Sequence, residues 1–188
     1  MPCFLLLFIT DVLDRAKCSG IPCASTATSP NCQSWTIITY DDFEVDLGNY
    51  VSAVGGASRT VSSTYAHKGT AAGRLGINPG APASMSLKAN IDATLFSMLR
   101  VHFWFYPTGF RYKDDFRLQY SENGGTSWTT ITSWIYPTNF QNNGFYDATV
   151  YIHRSQVTFN DQFRIRFTAD VSDDFDQVYF DEIELAGK

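Results

Sequence analysis

Met98-Leu99-Arg100-Val101-His102-Phe103-Trp104-Phe105-Tyr106 is the stretch on which the fold turns. Leu99, Val101, Phe103 and Phe105 occupy alternate positions, with Arg100, His102 and Trp104 between them. A period of two places the first set on one face of a strand and the second on the other. This is the pattern of a strand with one side on a core and one side towards solvent.

The same reading extends along the chain. Phe116-Arg117-Leu118-Gln119-Tyr120, Ala148 to Ile152, and Phe163-Arg164-Ile165-Arg166-Phe167 alternate more cleanly still. Trp35-Thr36-Ile37-Ile38-Thr39-Tyr40 and Val178-Tyr179-Phe180-Asp181-Glu182-Ile183-Glu184-Leu185 are rich in β-branched and aromatic residues, which suit strands. Gly55-Gly56, Gly69, Gly73, Asn78-Pro79-Gly80 and Pro82 mark turns between them. Short strands broken by frequent turns, with hardly a helical stretch, predict an all-β antiparallel sandwich of the jelly-roll kind over residues 36–188. No internal repeat and no second large domain is visible.

Residues 1–35 read differently. All four cysteines, Cys3, Cys18, Cys23 and Cys32, lie here, and so does the apolar run Phe4-Leu5-Leu6-Leu7-Phe8-Ile9. Four clustered cysteines predict two disulfides and an oxidising, extracellular setting. Three pairings are open, Cys3–Cys18 with Cys23–Cys32 among them. No C-x2-C pair and no nearby His supports zinc. The run is too short to span a membrane, which takes about 20 apolar residues. It also lacks the charged start and A-x-A site of a secretory signal. The run fits a strand covered on both faces, in a disulfide-linked extension of the sandwich, with a truncated or misassigned start as the competing reading. Ser25, Thr26, Thr28 and Ser29, next to Pro30, form a hydroxyl-rich loop suited to O-glycosylation. The chain has no Asn-x-Ser/Thr site.

The net charge of −5 and pI near 5.0 argue against nucleic acid and anionic membranes as partners. Catalytic signatures are missing: no G-x-S-x-G, no H-E-x-x-H, no phosphate loop, and His67, His102 and His153 are scattered. Asp114-Asp115 does not make a glycosidase pair, since adjacent strand residues face opposite ways. The chain is read as non-enzymatic. Ser121-Glu122-Asn123-Gly124-Gly125-Thr126-Ser127-Trp128 matches the Asp-box pattern S-x-D/N-x-G-x-T/S-W, a tight hairpin whose tryptophan is expected to fold back as an apolar plug. Trp104, Tyr106, Tyr112, Trp134 and Tyr136 are candidate sugar-stacking aromatics, with Trp134 and Tyr136 foremost, and the competing reading is that most of them fill the sandwich core. The amide-rich Asn139-to-Gly144 segment beside them suits hydroxyl groups.

Taken together, Asp41-Asp42-Phe43-Glu44, Gly69-to-Leu75, Leu99-to-Phe105, the Tyr120–Trp128 turn and Val178-to-Leu185 resemble secreted MAM-like and carbohydrate-binding jelly rolls over residues 40–188. The resemblance implies adhesion, sugar binding or a structural role. It also implies a structural Ca²⁺ where the first strand meets the last, held by Asp42, Glu44 and Asp181.

Two functions follow. In the first, Phe4–Ile9 completes the sheet of a neighbouring copy and builds a secreted, O-glycosylated head-to-tail filament. Burying each such side chain is worth ~1.5–3 kcal/mol, enough in sum to offset the cost of association. In the second, the body is a secreted carbohydrate-binding or adhesion module.

Overall fold

The computed structural model describes residues 34–52, 56–76, 82–170 and 175–188. The chain divides into two units, Met1–Gln33 and Ser34–Lys188, and only the second is described. The strand Phe4–Ile9, the cysteines and the hydroxyl loop at Ser25, Thr26, Thr28 and Ser29 therefore lie outside the described residues.

The second unit is all-β. Its strands are β1 (Thr36–Asp41), β2 (Tyr50–Ser52), β3 (Ala57–Val61), β4 (Ala71–Leu75), β5 (Ala83–Leu87), β6 (Met98–Thr108), β7 (Asp115–Ser121), β8 (Thr129–Ile135), β9 (Tyr146–His153), β10 (Arg164–Asp170) and β11 (Gln177–Gly187). One short 3-10 turn, Ala93–Leu95, precedes β6. The strands form two antiparallel sheets, β3-β4-β11-β6-β9 with β1 added on β11, and β2-β5-β10-β7-β8. No helix among the described residues is long and apolar enough to cross a membrane.

The β6 alternation holds along its whole length: Leu99, Val101, Phe103 and Phe105 are buried, and Arg100, His102, Trp104 and Tyr106 face outward, partly covered. Between the sheets Phe103 meets Phe167 edge-on at 4.9 Å, and Phe167 packs on Phe180 at 4.6 Å. Such pairs add ~0.5–1.5 kcal/mol each beyond the area they bury.

β6 pairs with β11 over Gln177 to Gly187. The other flank of β11 is shared: β4 takes Val178–Phe180 and β1 takes Ile183–Gly187. At the changeover Asp181 and Glu184 pair with Trp104 and His102, so β11 carries one extra residue. Glu182 sits in this bulge at φ 48°, in the left-handed region. The bulge turns the Asp181 and Glu182 carboxylates towards the loop between β3 and β4.

Candidate functional site

The six-stranded sheet covers its own outer face. The β3–β4 loop lays Tyr65 flat on Tyr179 at 4.0 Å and His67 flat on Trp104 at 3.6 Å, while Phe145 meets Tyr106 edge-on at 4.9 Å. Carboxylates pin this loop where it enters β4. Glu44 accepts from the Thr70 and Ala71 N–H groups, each at 2.8 Å, and from Thr70 Oγ1. Asp181 accepts from the Lys68 and Glu182 N–H groups, and Glu182 binds His67 Nδ1 at 2.6 Å and the Tyr40 hydroxyl at 3.2 Å. The Thr70 and Ala71 donors hold the Glu44 carboxyl below its ordinary pKa. Burial pushes Asp181 up, against the N–H donors around it.

These contacts bear on the calcium expectation. Asp42 is exposed and its carboxylate accepts from the Glu44 N–H, while the oxygens of Glu44 and Asp181 are engaged by N–H and O–H donors. The Arg59 guanidinium also donates to the Phe43 and Glu44 carbonyls. Ca²⁺ takes six to eight oxygens. Among the described residues no three acidic, His or Cys side chains gather around one point, so Asp42, Glu44 and Asp181 do not fit a shared cation.

The predicted aromatic platform is dispersed. Trp134 points inward, where its ring stacks on Phe116 at 4.9 Å and meets Phe103. Tyr136 packs at the end of the core near Phe140. Tyr112 is 75% exposed and stands apart, with Lys113 over its ring. Trp134 and Tyr136 are thus corrected from sugar contacts to packing residues, because the pleat turns Trp134 to the same side as its partner Phe116. The amides of Asn139-to-Gly144 are also spent locally. Asn139 accepts from the Ile135 N–H, and Asn142 makes two bonds to the Phe110 backbone.

The outer face of the five-stranded sheet is built differently. Val51, Ser86, Arg166, Gln119 and Thr130 are successive cross-strand partners, one from each strand in the order β2, β5, β10, β7, β8. Their neighbours in the pleat, among them Tyr50, Met85, Phe167 and Leu118, are the core, so this row faces away from it. The Arg166 Nε–H donates to Gln119 Oε1 at 2.7 Å, and Gln119 Nε2 donates to Thr130 Oγ1 at 2.9 Å. Trp128 lies under the guanidinium at 4.5 Å. A parallel row holds Ser84, Thr168 and Arg117.

Outward strand residues are ordinarily exposed. Here Gln119 is 8% exposed, Thr168 6%, Ser86 5% and Ser84 1%, while Val51 and Thr130 at the two ends of the row are exposed, so the middle of the face forms a recess between them. Ser84 Oγ has no hydrogen-bond partner, an arrangement costly enough to be rare in native interiors. The recess thus offers charged, amide and hydroxyl groups in fixed positions beside an indole.

The Asp-box hairpin borders it. Ser121 Oγ accepts from the Asn123 and Gly125 N–H groups, Asn123 Oδ1 accepts from the Ser127 N–H, and Gly124 and Gly125 supply φ of 68° and 93°. Its tryptophan does not plug the core. That end of the core is filled by Tyr120 stacked on Phe163 at 5.7 Å, with Phe159 beside them, and Trp128 goes to the guanidinium instead. Arg166, Gln119 and Trp128 were not legible as a group. Alternation marks each as outward-facing, but only the strand order brings them together.

No family model and no curated protein sequence matches the chain. Solved structures do. The C-terminal family 22 carbohydrate-binding module of Clostridium thermocellum Xyn10B is 15% identical over 80% of this chain and 92% of that one, with a TM-score of 0.60. TmCBM61, solved with β-1,4-galactotriose, is 11% identical over 74% of this chain and 87% of that one, with a TM-score of 0.50. The K3 cleaved adhesin domain of Lys-gingipain from Porphyromonas gingivalis is 10% identical over 82% of this chain and all of that one, with a TM-score of 0.58. At these identities the likeness shows the fold alone, a β-sandwich of the carbohydrate-binding-module kind.

Proposed function

We propose that the Ser34–Lys188 body is a secreted, non-catalytic carbohydrate-binding module that takes its glycan in the recess of the five-stranded sheet. The observation that carries this reading is the polar row of covered Ser86 and Gln119, half-buried Arg166 and exposed Thr130 alongside Trp128. Sugar hydroxyls both donate and accept, and the row supplies both functions in fixed geometry. Similarity to modules crystallised or named with galactotriose and xylan supports it. The non-catalytic part rests on the recess itself: its Asp115 and Asp170 are both bound to Arg117. All three histidines belong to the six-stranded sheet or the loop upon it.

Filament formation by donation of Phe4–Ile9 rests on residues outside those described, and no feature of the two sheets favours it over glycan binding.

Affinity electrophoresis of residues 1–188 in gels containing neutral and acidic plant and algal polysaccharides tests the proposal. Retardation lost in Gln119→Ala and kept in Trp104→Ala, on the opposite sheet, is the expected result. Retardation by no polysaccharide, or a loss confined to Trp104→Ala, overturns it.

A further inference from the structure

The recess carries positive charge on an acidic protein. The chain has a net charge of −5, yet Arg117, Arg164 and Arg166 all project from this one face. Arg117 is neutralised by Asp115 at 2.8 Å and Asp170 at 3.3 Å. The other two are not. Neither Arg164 nor Arg166 joins an ion pair among the described residues.

Each of these two arginines is instead held by a neutral amide. Arg164 Nε donates to Asn90 Oδ1, and Asn90 is in turn held by Gln162 at 2.7 Å. Arg166 Nε donates to Gln119 Oε1, while Trp128 fixes the plane of the guanidinium from one side. The Nη groups of Arg166 have no acceptor among the described residues. A solvated surface arginine would be free to move and fully hydrated. Arg166 is half-buried, its charge is disfavoured by burial, and its fork is locked by two contacts.

An uncompensated, half-buried guanidinium is costly, and an incoming anion relieves that cost. The fork matches two oxygens of one carboxylate or sulfate group. We infer that the recess selects an anionic glycan, with a uronate carboxylate or sulfate ester seated on Arg166 and the next acidic residue of the polymer reaching Arg164. Residues two apart on one strand lie roughly 7 Å apart, so charges repeating along a polysaccharide can meet both. This inference rests on the proposed carbohydrate function and adds the charge of the ligand.

The probes are polygalacturonate, the same polymer after methyl esterification, a carrageenan, and neutral xylan and galactan, each measured by calorimetry at low and raised salt. Expected is binding to polygalacturonate, carrageenan or both, weakened by salt and lost on methyl esterification. Arg166→Gln should bind at least ~10-fold more weakly, the loss of one charged hydrogen-bonding group, and Arg164→Gln should bind less weakly affected but below wild type. The esterification arm uses the unaltered protein, so it stands even if a variant misfolds. The two anionic arms separate carboxylate from sulfate. Equal binding of the esterified or neutral polymers overturns the anionic inference while leaving carbohydrate binding intact. Binding to none of the five overturns both.

Discussion

Gln119 and Arg166 stand directly opposite each other on β7 and β10, and the Arg166 Nε–H donates to Gln119 Oε1 at 2.7 Å. The amide relays the contact to Thr130, so a cation, an amide and a hydroxyl are polarised in one direction across three strands. The Thr130 hydroxyl, having accepted, keeps its own proton to donate to a ligand.

Gln119→Leu therefore strands the buried Nε–H and costs ~1–3 kcal/mol in denaturant unfolding. Gln119→Glu acts oppositely. It places a carboxylate where the guanidinium lacks one, so the protein unfolds at higher denaturant concentration than wild type, while its binding to polygalacturonate falls. A Gln119→Glu protein that is less stable than wild type would contradict the unpaired state of Arg166.

Trp128, just before β8, and Trp134, near its end, separate stability from binding. Trp134→Ala leaves a hole beside Phe116 and Phe103 and costs ~3–5 kcal/mol. Trp128→Ala removes a half-exposed cation–π contact worth ~0.5–1 kcal/mol, yet it releases the Arg166 fork and weakens glycan retention. Urea unfolding and affinity electrophoresis on the same two variants check both halves.

Glu44→Gln removes the carboxylate that clamps Thr70 and Ala71. The Glu44 pKa is lowered in the folded state by those donors, so its stabilisation is complete above the unfolded glutamate pKa and is lost as pH falls through the lower folded value. The variant should melt below wild type at neutral pH. The gap should close in acid, beneath the ordinary glutamate range, in thermal melts followed by circular dichroism. A gap that persists unchanged into strong acid would mean the carboxylate charge is not what holds the loop.

Chelation bears on the same loop. With Glu44 and Asp181 occupied by N–H groups and Arg59 on the neighbouring carbonyls, EDTA should leave Tm unchanged, and added calcium should not raise it. A calcium-dependent rise in Tm would reveal a cation bound by the native state.

Much of the strand set was legible before the structure. In β6, and over most of β7 and β10, polar and apolar residues alternate because one face of the strand is dry, and burial follows; β11, central in its sheet and covered on both faces, is buried at consecutive positions instead. The aromatics were not legible. Trp104, Trp128 and Trp134 look alike in a sequence, but one is roofed by His67, one lies under Arg166, and one is partly buried against the core. The amides of Asn139 and Asn142 misled for a related reason, since a loop's own unpaired backbone groups compete for such side chains.

What the amino-acid order determined by itself is therefore the sandwich: periodicity is a local property, and an alternating strand such as β6 declares its dry face without reference to any other. Which polar residues stand side by side was decided only by the order β2-β5-β10-β7-β8. That order carries Ser86, Arg166, Gln119 and Thr130 from distant parts of the chain into one row, and the proposed site exists only across that row.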